Sequence, residues 1–159
     1  MVSAGFLHSA IFCPQPTTES YQLEIVKANG LNPLRRLLQL SDLDPTSLAV
    51  SCVFSLTLQP TNHSPIIEAG FLRPLVALLA FKGKGSARLH AIGALQRLAA
   101  STCENRRAVV NAGAVQSIKE LVLEAPVSIQ IEMTGCIRNL SRSGMHPPLT
   151  VFSSLILPR

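Results

Sequence analysis

The chain has no tryptophan, one tyrosine and six phenylalanines, so aromatic residues amount to 4% of its 159 residues. That poverty argues against a β-sandwich or barrel core, which draws on aromatic and β-branched residues. The Leu and Ala recurring along the chain favour packed helices instead. Charge is also scarce, at 14% charged against 47% apolar residues, a balance that excludes generic disorder because enough apolar surface exists to bury. Long apolar runs are missing: Arg73 interrupts the best candidate and the stretch from Val151 to Leu157 is far short of the roughly 18 residues a membrane helix needs. The four cysteines, at 13, 52, 103 and 136, are too dispersed for the close ligand pairs of a zinc site and too few for a disulfide-stapled miniprotein, which fits a reducing compartment.

Chemistry-bearing motifs are equally sparse. His8, His63, His90 and His146 show no metal-ligand spacing, and neither a Gly-x-Ser-x-Gly elbow nor a phosphate loop occurs. No enzyme, metal site or cofactor is therefore expected. Net charge is +5, but its densest stretches, Lys82-Gly-Lys84 and Arg106-Arg107, have no aromatic side chains interleaved to stack bases, so nucleic acid is not expected as a partner. The first residues have no charged region ahead of the apolar stretch, which His8 interrupts, and Val2 stands where N-myristoylation requires Gly. Cys13 remains as a conceivable acylation point, but one acyl chain anchors poorly without a second signal.

What the chain does contain is a repeat. IVKANGLNPLRRLL at 25–38, IIEAGFLRPLVALL at 66–79 and VVNAGAVQSIKELV at 109–122 align so that Asn29, Gly70 and Gly113 share a column, at spacings of 41 and 43 residues. A second block, SCVFSLTL at 51–58, GALQRLAA at 93–100 and GCIRNLSR at 135–142, keeps a stricter phase. Cys52, Ala94 and Cys136 follow at intervals of 42, and so do Leu56, Leu98 and Leu140. A fixed period of this size signifies one supersecondary unit per repeat, stacked on its neighbours as a solenoid.

Each unit reads as three helices. The first, such as 105–112, ends at a residue that must adopt left-handed backbone, which Gly70 and Gly113 do freely and Asn29 does at second best. A second helix starts near Pro33 or Pro74, where a proline loses no hydrogen bond. A third presents Leu89, Ile92, Leu95 and Ala99 to the core at spacings of three, three and four. Three repeats are expected at about 20–60, 61–102 and 103–143, between an irregular segment at 1–19 and an irregular apolar tail at 144–159. Cys52 and Cys136 share the small-residue column with Ala94, so they are predicted to be inert packing residues.

Three helices per roughly 42 residues, with turns written NAG or EAG, resemble the armadillo repeat. YQLEIVKANGL, NRRAVVNAGAVQSIKELVLEAPVSIQ and CIRNLS are similar to internal repeats of the fungal vacuolar armadillo-repeat family, the vacuolar protein eight family. The resemblance implies an all-α, right-handed α-solenoid acting as a non-enzymatic adaptor on the cytosolic face of the vacuolar membrane, in vacuole inheritance, nucleus–vacuole contact and selective autophagy. It further implies that this chain is a truncated relative whose exposed solenoid ends lack capping repeats. The implied partner is an extended segment of an adaptor, autophagy or organelle-contact protein, laid along the concave groove lined by third helices. There Asn139 occupies the peptide-binding asparagine position, with Arg97 and Ser55 replacing it one and two repeats earlier. Gly135, Gly93 and Ser51 stand where nuclear import receptors carry lysine-stacking tryptophans, so import-signal binding is not expected. His90, Arg97, Glu132, Arg138 and Asn139 are the candidate groove residues. The open alternatives are a structural fragment without partner binding and a generic armadillo peptide-binding module.

Overall fold

The computed structural model describes residues 18–40, 43–80 and 85–142; residues 1–17, 41–42, 81–84 and 143–159, with Val2, His8, Cys13, Lys82, Lys84 and His146, lie outside the described residues. Among the described residues nine α-helices run in order: α1 (Thr18–Lys27), α2 (Leu31–Leu37), α3 (Leu43–Leu56), α4 (His63–Glu68), α5 (Leu72–Leu79), α6 (Gly85–Ala100), α7 (Cys103–Asn111), α8 (Ala114–Leu121) and α9 (Val127–Ser141), with a 3-10 turn at Pro60–Asn62 leading into α4. No strand occurs among the described residues. Helix α1 begins at Thr18, inside the stretch that the sequence reading leaves irregular.

Three corners separate first from second helices, and each has the backbone that its sequence column demands. Asn29, Gly70 and Gly113 have φ of 59°, 80° and 89°, the left-handed region that terminates a helix. At Gly70 the chain closes as a Schellman motif: the N–H of Gly70 donates to the carbonyl of Ile67 at 2.9 Å and that of Phe71 to Ile66 at 3.4 Å. Asn29 and Gly30 repeat the pair on Val26 and Ile25 at 3.2 and 2.9 Å. Pro33 and Pro74 fall third in α2 and α5, within the first turn. The start of α7 is capped by Thr102, whose Oγ1 accepts from the Asn105 N–H at 3.1 Å.

Third helices pack side by side, α3 on α6 and α6 on α9, while α5 packs on α8 and α4 on α7, so equivalent helices form parallel layers. The core runs through this stack. Leu56, Leu98 and Leu140 are 1%, 0% and 4% exposed, so three residues spaced by 42 occupy equivalent buried places. Ile92, Leu95 and Ala99 are fully buried as expected; Leu89 is only half-buried because it also lines the surface of the third-helix layer. Side chains from each new repeat tie down the exposed carbonyls at the end of the preceding third helix. Asn62 Nδ2 donates to Leu56 O at 3.1 Å and the His63 ring meets Thr57 O at 2.9 Å, whereas one repeat on Arg106 Nη1 donates to Ser101 O at 3.2 Å and Ala99 O at 3.5 Å.

Candidate partner-binding groove

The layer of α3, α6 and α9 presents its surface through two sequence columns. One contains Phe54, Gln96 and Arg138; the other contains Gly93 and Gly135. A Cβ placed on Gly93 would lie 2.6 Å from Cε2 of Phe54, and one on Gly135 would collide with Nε2 of Gln96. Each glycine therefore receives a side chain from the preceding third helix. The smallness of the Gly93 and Gly135 column has a cause internal to the stack, since those sites are already filled by Phe54 and Gln96.

Phe54 is held there from two sides. The Arg97 guanidinium lies 4.0 Å from the Phe54 ring centroid, a cation–π contact, and the His90 ring is 5.1 Å away, tilted by 31°. Arg97 Nη1 also donates to Phe54 O at 3.3 Å. Asn139 makes the same connection one repeat later, its Nδ2 donating to Gln96 O at 3.0 Å. Ser55, first in that column, instead bonds within its own helix to Ser51 O at 3.1 Å. Arg97 and Asn139 thus spend one donor each on stitching adjacent third helices.

Of the five candidate residues, the structure brings three together. His90, Arg97 and Glu132 line one concavity of about 300 Å³ with Phe54, Leu89, Gly93 and Gln96. Nδ1 of His90 is buried there with no hydrogen-bond partner. Asn139, 7% exposed, lines a separate neighbouring hollow, and Arg138 stands exposed outside both. A larger concavity of about 580 Å³ lies away from these columns, between α2, the start of α3 and α5, lined by Leu38, Leu40, Thr46, Arg73, Pro74 and Leu78 among others.

Sequence reasoning missed Phe54 and, for Gln96, its packing onto Gly135. The available signal was the spacing of 39 residues that places each opposite a glycine, Phe54 to Gly93 and Gln96 to Gly135. That pairing makes an unequal pair of variants. Gly135→Ala gains about 1 kcal/mol of helix propensity and displaces only the flexible end of Gln96, so it is expected to stabilise the chain. Gly93→Ala must move a ring pinned by Arg97 and His90, an overpacking of about 1–3 kcal/mol that cancels or exceeds the same gain. Urea unfolding midpoints for the two variants check this; equal shifts would contradict the inter-repeat register described above.

Cys52 and Cys136 behave as packing residues. Burial raises the Cys136 thiol to about 12 and raises that of Cys52 as well, leaving both protonated at neutral pH and poor nucleophiles.

Over 125 residues the chain is 46% identical to Vacuolar protein 8 of Schizosaccharomyces pombe, and over 121 residues 48% identical to Vacuolar protein 8 of Yarrowia lipolytica. The Armadillo/beta-catenin-like repeat family model matches residues 102–142, the span of α7 to α9. This is an armadillo-repeat chain. The two relatives are matched over 79% and 76% of the chain but over only 23% and 21% of their own lengths, so the chain spans less than a quarter of either. Among solved structures, computationally designed armadillo repeat proteins for modular peptide recognition superpose with a TM-score of 0.78 at 22% identity, covering 84% of this chain and 56% of theirs. A designed armadillo repeat protein in complex with the peptide (KR)4 follows at 0.74 and 22%, covering 89% and 57%. At these identities the superpositions establish the armadillo fold of α1 to α9.

Proposed function

We propose that the chain is a peptide-binding segment of a protein scaffold, and that the partner lies across the third-helix layer at His90, Arg97, Glu132, Arg138 and Asn139. The observation that carries this reading is the concavity where an aromatic ring, a histidine with an unsatisfied nitrogen, a guanidinium and a carboxylate converge on the third-helix layer. Such a mixture of apolar floor and directed polar groups suits one side chain of an extended peptide. Only part of Arg97 is engaged, because a guanidinium has five donors and one nitrogen serves Phe54 O. Arg97 and Arg138 favour acidic side chains, with Glu132 as a local exception. The (KR)4 complex supports peptide binding by the same architecture but not the same chemistry, since its fully basic ligand is opposed here by two arginines. The vacuolar setting, on the cytosolic face of the membrane, and the adaptor roles in inheritance, organelle contact and autophagy belong to this proposal through the relatives' name and the family resemblance.

The test selects peptides from a display library with the full 159-residue chain and measures their affinity for variants. Because Arg97 and Asn139 also stitch the repeats, Glu132→Ala and Arg138→Ala are the informative changes. At least one is expected to weaken binding by more than 1 kcal/mol, about fivefold, the usual mark of an engaged interface residue. Arg73→Ala, in the larger concavity, should stay within about 0.5 kcal/mol. The opposite pattern would move the binding surface to α2 and α5, which the size of that concavity makes the second reading.

A further inference from the structure

Beyond the aromatic concavity, the same layer carries a second hollow of about 270 Å³ at the ends of α6 and α9, lined by Ala100, Ser101, Arg106, Asn139 and Arg142. Its composition is one-sided: two guanidinium groups, an amide and a hydroxyl, with no carboxylate among the lining residues. Arg106 reaches it from α7, the first helix of the third repeat, and is fixed by its Nη1 bonds to Ala99 O and Ser101 O. Those bonds orient the fork and leave Nε buried with no acceptor. A buried N–H of a charged group without a partner is costly, and the shortage here is of acceptors. Asn139 cannot relieve it through Nδ2, which is a donor and already serves Gln96 O. Arg142, exposed at the end of α9, adds the second charge at the open side.

The electrostatic balance favours an anion even at this location. The carboxyl ends of α6 and α9 each contribute about half a negative charge, while Arg106 and Arg142 contribute two full positive ones, so the hollow remains net positive. The geometry points to an oxyanion subsite here, taking a carboxylate or phosphate group from a side chain of the bound peptide. It lies next to the aromatic concavity, separated from it by the Asn139–Gln96 hydrogen bond, so a single extended segment reaches both. This deepens the peptide-binding reading and rests on it for the source of the anion; the subsite itself does not. Arg106 then has two roles, tying the end of α6 through Nη1 and presenting the rest of its guanidinium to the ligand.

Two probes separate these claims: inorganic phosphate at constant ionic strength, with chloride as comparator, and the octapeptide (Glu-Gly)4. The full chain is labelled with 15N and the side-chain Nε–H signals of Arg106 and Arg107 are followed, Arg107 being exposed and outside the hollow. The Arg106 signal is expected to shift saturably with both probes while that of Arg107 does not. Arg142→Gln, at an exposed position, should leave thermal stability unchanged and weaken both probes about threefold or more, the scale of one exposed charge pair. No saturable Arg106 shift, or Arg142→Gln binding both probes as tightly as the parent, overturns the subsite. Phosphate binding without peptide binding overturns the peptide as its source. Peptide binding that depends on Arg142 but is indifferent to Glu132→Ala and Arg138→Ala supports the subsite and defeats the broader groove reading instead. Arg106→Gln serves as a second variant: it is expected to lower stability through the lost α6 tie and, measured where it is folded, to abolish the saturable response to phosphate.

Discussion

Leu98→Ala is expected to destabilise the chain by about 3–4 kcal/mol, within the range found for large-to-small changes at fully buried leucines. Leu98 has no exposed surface and sits on α6, the helix that packs against α3, α5, α7 and α9 at once. Removing its isobutyl group leaves a cavity that several elements would have to move together to close. For a chain of this length the loss corresponds to a melting point lower by about 6–14 °C. A solenoid is stabilised through neighbouring repeats, so weakening the middle one should also broaden the transition as the outer repeats lose their coupling. Leu140→Ala, in the equivalent place in the last described repeat, is expected to cost less because fewer helices surround it. Leu48→Ala, at a position 74% exposed, should remain within about 0.5 kcal/mol. Denaturant titration at 25 °C checks the series. A Leu98→Ala loss below about 1 kcal/mol would remove α6 from the centre of the core.

Gly113→Val should destabilise by about 2 kcal/mol for a different reason. Gly113 has φ of 89° and ψ of 12°, and an added Cβ would meet nothing within 4 Å. The whole effect is therefore backbone strain: an L-residue in left-handed conformation costs roughly 1–2 kcal/mol, and branching at Cβ puts valine at or above the upper end. The expected order of destabilisation is Val, then Ala, then Asn, because a short polar side chain tolerates that region and Asn29 already occupies it at φ 59°. Since space around the site is open, a steric explanation predicts no such order. Thermal melts of the three variants decide, and an unchanged melting temperature for Gly113→Val would overturn the corner assignment.

Asn29, Gly70 and Gly113 show why the fold could be read from residues alone. A left-handed corner is dictated within a few positions, by which residue types tolerate positive φ and by the proline or apolar periodicity that follows. The interval of 42 residues between Leu56, Leu98 and Leu140 then placed these helices on one another, because identical buried faces recurring at one period leave stacking as the way to cover them. Boundaries were less secure: α1 starts at Thr18 and α7 at Cys103, where Thr102 caps it, ahead of the start at 105 read from the sequence.

The candidate site was only partly legible, and Asn139 and Arg97 show the reason. Phase alone correctly put both on the third helices, but whether a polar side chain there is free depends on what lies beside it in the next repeat. Each bonds a carbonyl 43 residues earlier, and Phe54 covers Gly93 from the preceding helix. Such contacts follow from the register of one repeat on another, which sums many small packing energies and is written in no local segment. The sequence by itself determined the helical repeat, its corners and its buried columns, because those are short-range preferences and a strict period. Tertiary structure alone decided which groove residues remain available and brought Arg106, from a first helix, beside Asn139 and Arg142, because availability is a property of neighbours one whole repeat away.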